Sequence, residues 1–108
     1  MTDYTPKVSK EDIDRIISRD YPNENKEEIW RILERYKYGE EFRIYAAALK
    51  EGRGELERLG LMIGIANTDY RDLLAAAEYP GQIRAGFGNS SLEMIRSDEE
   101  QYYVWFNR

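Results

Sequence analysis

The chain has 108 residues, 42% hydrophobic and 34% charged, with a formal net charge of −5 and a pI near 4.8. That is one domain's worth of polypeptide, apolar enough to build a core and too rich in aromatics to be a disordered tail. Cysteine and histidine are both absent, which excludes disulfides, thiolate nucleophiles, imidazole acid–base chemistry and zinc sites of the usual donor set.

Residues 1–8 read as a flexible N-terminus with no signal-peptide core, and the longest apolar run, residues 59–66, is far short of a membrane span. A cytoplasmic location with no membrane contact is the expectation. Ser9 can accept a hydrogen bond from the backbone three residues on, and Glu11 and Asp12 suit the positive end of a helix dipole, so a first helix starts there. Ile13, Ile16 and Ile17 form its apolar face. Tyr21 extends that stripe before Pro22, which ends the segment. Asn23 or Asn25 then caps a second helix, in which Ile29, Ile32, Leu33 and Tyr36 share one side and Gly39 provides a left-handed stop.

A third helix carries Phe42, Tyr45, Ala46 and Leu49 and closes in Glu51-Gly52. The fourth is apolar nearly all round, through Leu56, Leu59, Leu61, Met62, Ile63, Ile65 and Ala66. That places it in the middle of the bundle, with Gly60 and Gly64 expected to admit another backbone closely. Asn67 ends it. Asp69 caps a fifth helix with Asp72 at the N3 position, Tyr70, Leu73, Leu74 and Ala77 keep the helical spacing, and Pro80-Gly81 is the stop.

Residues 81–91 read as a loop before the C-terminal segment. Its GFGNSS has neither the preceding strand nor the following lysine of a phosphate-binding P-loop. Leu92 and Ile95 suggest a helical turn or two. Ser97 and Glu100 form a capping box ahead of a final helix that docks Trp105 and Phe106; the alternative is a detached aromatic tail that binds a partner. The expected fold class is all-α: a single domain over residues 1–108, a compact orthogonal or antiparallel bundle of about five helices plus a C-terminal helix.

For chemistry there remain carboxylates, lysine, tyrosine and serine, with oxygen-ligated cations. Glu40, Glu41, Asp69, Asp72 and Glu78 are the candidate acids, and Arg71 a candidate anion clamp between Asp69 and Asp72. Helix-end electrostatics already account for these charges, so no catalytic, metal or cofactor residue is assigned and no cofactor is expected. The nine tyrosines point to binding, because aromatic anchors are enriched at interface centres. Trp30, Tyr36, Tyr38, Tyr45 and Trp105 are the candidate contact residues. The acidity suits a protein partner with a basic surface and argues against nucleic acid, since acids and bases are interspersed. The chain itself is expected to be a monomer or weak homodimer.

The segments DIDRIISRDYP (12–22), FRIYAAALKEGRGELERL (42–59), ANTDYRDLLAAAEYP (66–80) and DEEQYYVWF (98–106) resemble, in order, a family of small uncharacterised bacterial helical proteins over about half the chain. The most specific part is an AxxDYRDxLAxAEYP-like block. Ala66, Asp69, Tyr70, Arg71, Asp72, Leu74, Ala75, Ala77, Glu78, Tyr79 and Pro80 carry it here. The chain departs from that family at Gly54, where an aspartate usually opens the next helix, and in its glycine-rich segment 81–91. The resemblance implies a helical fold and a bacterial origin, structural roles for the block, and no activity. The expected function is a non-catalytic protein-binding or accessory module. An immunity- or antitoxin-type protein covering a basic partner and a carboxylate-based divalent-cation site or enzyme are the alternatives.

Overall fold

Local signals set the first two helices. Ser9 Oγ accepts from the Asp12 N–H at 3.1 Å while the Asp12 carboxylate accepts from the Ser9 N–H at 3.0 Å, a reciprocal cap that starts α1 (Lys10–Asp20). Asn25 Oδ1 accepts from the Glu28 N–H at 3.0 Å and starts α2 (Lys26–Leu33). The computed structural model describes residues 6–86 and 91–108 and continues with α3 (Glu41–Gly52), α4 (Leu56–Glu78), α5 (Pro80–Ala85) and α6 (Leu92–Phe106). Among the described residues there is no strand, so the fold is an all-α bundle. No helix among them is long and apolar enough to cross a membrane.

α4 touches α2, α3, α5 and α6, as a helix in the middle should, but the helix buried over most of its length is α3. Ile44 through Leu49 are all buried, because Ala46, Ala47 and Ala48 add so little bulk that α4 and α1 can close on α3 from several sides. Six isoleucines at 13, 16, 17, 29, 44 and 63 complete the interior with Leu33, Leu49 and Leu59, each burial contributing roughly 1.5–3 kcal/mol. The outer flank of α4 stays open. Leu61 is 63% exposed, and a Cβ at Gly60 or Gly64 would meet no atom within 4 Å. The close backbone approach expected at these glycines is therefore not made.

Several expected boundaries move, each for a tertiary reason. α2 stops at Leu33, which leaves Tyr36 beyond the helix, because Asn67 of α4 takes over the backbone there: its Nδ2 donates to Arg35 O at 3.0 Å and its Oδ1 accepts from the Lys37 N–H at 3.4 Å. The left-handed residue of the following turn is Glu40 (φ 56°) rather than Gly39. At the end of α3 a Cβ on Gly52 would collide with the Tyr21 hydroxyl and crowd Leu59, so glycine is required by packing. α4 ends at Glu78, where Pro80-Gly81 is expected to stop it, but Pro80 then opens α5, at a position where its missing N–H costs nothing. α6 starts at Leu92 with Ser91 as its cap, which puts Ser97 and Glu100 inside the helix.

Of the N-terminal residues expected to be flexible, Pro6 is buried and Val8 packs on the core, whereas residues 1–5 lie outside the described residues. The same holds for residues 87–90, and with them for most of GFGNSS.

Candidate functional site

α4 is one helix by its hydrogen bonds and two by its course. Asp69 sits in extended conformation (φ −155°, ψ 102°) and breaks it, as the capping signal at that residue requires. Its Oδ1 accepts from the Arg71 N–H at 3.0 Å, and the Arg71 side chain returns to both carboxylate oxygens at 3.0 and 3.1 Å. The hydrogen bonds from Arg71 hold the Asp69 carboxyl below its ordinary pKa, and Asp69 in turn raises that of Arg71. Asp72 stays exposed and does not return the cap.

The break opens a surface hollow of about 370 Å³ lined by Tyr38, Ala66, Asn67, Thr68, Asp69, Tyr70 and Arg71. Two tyrosines from distant parts of the chain meet there, Tyr38 at 58% and Tyr70 at 44% exposure. Tyr38 is positioned from beneath: its ring meets the buried Tyr36 ring edge-on at 5.8 Å, and the Tyr36 hydroxyl donates to Gly39 O at 3.0 Å. Tyr70 follows the capping residue directly, so the break sets its direction. Neither ring is buried in the core, and together they present apolar faces and hydroxyls to solvent.

Of the five aromatics expected at a contact surface, the structure exposes Tyr38. Tyr36, Tyr45 and Trp105 are core residues. Trp30 is half-buried, edge-on to Tyr45 at 6.0 Å, with its indole N–H donating to Asp14 Oδ1 at 3.0 Å. The amphipathic side chains put their rings inside, as helical tyrosines commonly do. Burial pushes the hydroxyls of Tyr36, Tyr45 and Tyr79 above their ordinary pKa. The C-terminal aromatics are docked and not a free tail: Arg19 Nη1 donates to Trp105 O at 2.7 Å and its guanidinium stacks on the Trp105 ring, while Arg15 stacks on Phe106.

The candidate acids separate into unrelated tasks. Glu78 is buried against Arg43, which also reaches Glu40; the hydrogen bonds that Arg43 donates to Glu78 raise the arginine's pKa. Lys50 donates to Ala77 O at 2.8 Å near the end of α4, and burial lowers its pKa. Glu41 lies in the first turn of α3. Among the described residues no group of three or more acids could hold a metal ion. Sequence reasoning missed Tyr70 as a surface aromatic: it shares the helical spacing of the buried Leu73, Leu74 and Ala77, and only its place one residue after a cap, in the first turn, distinguishes it. It also missed Leu61, Tyr103 and Val104, all exposed.

Comparison with models of known protein families, with curated proteins and with solved structures gave no match in any of the three.

Proposed function

We propose that the protein is a non-catalytic binding module that uses the Tyr38–Tyr70 hollow as the centre of its contact surface. The observation that carries this reading is the convergence of those two exposed rings beside the α4 break. Tyrosine supplies a large contact area at the cost of few rotatable bonds, and it is over-represented where binding energy concentrates. Leu61 and Ile65 extend the exposed apolar surface along the same helix. The partner is a protein with a basic surface, because a chain of net charge −5 attracts it and repels acidic competitors.

The test is quantitative capture from lysate of the source cells with the native chain and with the double variant Tyr38→Ser, Tyr70→Ser. Both side chains are exposed, so melting should shift by no more than about 0.5 kcal/mol equivalent. A basic protein retained by the native chain should be lost with the variant, and lost from the native chain as salt rises. Equal capture by both proteins, at unchanged stability, contradicts the reading.

A further inference from the structure

Six helical residues do not hold themselves in water; an isolated helix becomes marginally stable only near 12–15 residues. α5 spans Pro80–Ala85, contributes no buried residue, and receives no side-chain cap from Tyr79. What it has instead is a carboxylate from another helix. Asp98 of α6 accepts from the Gly81 N–H at 2.9 Å through Oδ1, and from the Gln82 N–H at 3.0 Å and the Gln82 side-chain amide at 3.2 Å through Oδ2. Proline precedes these donors and has no N–H of its own to satisfy.

Asp98 is 3% exposed, so its charge has exchanged water for those three donors. Gly81 makes the exchange feasible, since a Cβ there would lie 2.8 Å from Asp98 Oδ1. Dependence then runs in both directions. Without Asp98 the first free amides of α5 lose their acceptor; without the helical turn of α5, Asp98 loses all three of the donors that replace its water. The far end of α6 is fastened by one polar group as well, Arg19 on the carbonyls of Trp105 and Phe106.

We propose that Asp98 is a conformational latch that makes the folding of α5 conditional on the docking of α6, so that both helices leave the bundle together. The flap turns at Tyr79–Pro80, where α4 ends and α5 begins. Opening withdraws Tyr102 and Trp105 from the core and presents an aromatic helix face, independently of the Tyr38–Tyr70 hollow.

Native-state amide hydrogen exchange on the full chain, in a series of low denaturant concentrations, tests this. Residues 82–85 and 95–105 should exchange through one shared opening, with equal free energies and equal denaturant slopes, both below those of α1–α4. Asp98→Asn should then raise exchange in both segments by the same factor, at least about tenfold, and leave α1–α3 unchanged. If Asp98→Asn does not fold, Gly81→Ala, which displaces the carboxylate without altering charge, replaces it and the native-chain result stands by itself. Separate openings for α5 and α6, an opening of α6 shared with α1–α4, or a variant that loosens α5 alone would each overturn the latch.

Discussion

Arg43 and Glu78 form a two-pronged ion pair between α3 and α4: Nε and Nη2 of the arginine lie 3.0 and 2.7 Å from the two carboxylate oxygens of a glutamate that is 7% exposed. A forked guanidinium matches a carboxylate in a way that a lysine ammonium cannot. The desolvation of both charges is offset by mutual contact, so removing one partner strands the other. Arg43→Ala and Glu78→Ala should each cost about 3–5 kcal/mol in urea unfolding, and Arg43→Lys should recover little of it. A loss below about 1 kcal/mol would mean that solvent screens the pair as it does surface pairs.

Gly60 and Gly64 face open space, although glycine is a poor helix former. Replacing either by alanine should stabilise the protein by roughly 0.5–1 kcal/mol. In a domain this size that is several degrees of melting temperature. Gly52→Ala should do the reverse, by roughly 1–3 kcal/mol, because the new methyl group meets the Tyr21 hydroxyl and Leu59. Thermal melts of the three single variants separate a glycine tolerated by the fold from one required by it.

Burial pushes the Tyr21 hydroxyl up to about 12, and it donates to Leu49 O at 2.9 Å. The folded pKa exceeds that of the unfolded chain, so the stability it contributes is complete below pH 10 and is lost as pH rises from 10 to 12. The full loss is about 2–3 kcal/mol. Tyr21→Phe should be about 1 kcal/mol less stable at pH 8, and its stability should fall less between pH 9 and 11. Urea midpoints across that range measure the difference; parallel slopes for both proteins would show that Tyr21 does not titrate with unfolding.

Most of the helices were readable from local signals, because capping residues and the spacing of isoleucine and leucine act within one or two turns. Ser9, Asn25 and Asp69 start segments where their side chains predict. What escaped was governed by groups far away in the chain. α2 ends early because Asn67 supplies its replacement partners, and α5 exists because Asp98, sixteen residues on from Gln82, supplies its cap. The deeper burial of α3 relative to α4 escaped for a different reason. Apolar character all round α4 suggested burial, yet the alanine run of α3 allows closer packing, and hydrophobicity alone does not report which helix neighbours can approach. The same ambiguity hid the site: Tyr36 and Tyr38 differ by two positions, and one lies in the core while the other lies at the surface.

The central claim, that contact with a partner runs through the Tyr38–Tyr70 hollow, is tested most directly by photo-crosslinking in source-cell lysate. A benzophenone amino acid is placed singly at position 38, 70 or 103, all three exposed in the native chain. The account predicts one shared basic protein as adduct from positions 38 and 70, and no such adduct from position 103. An adduct from position 103 with none from 38 and 70 would contradict it.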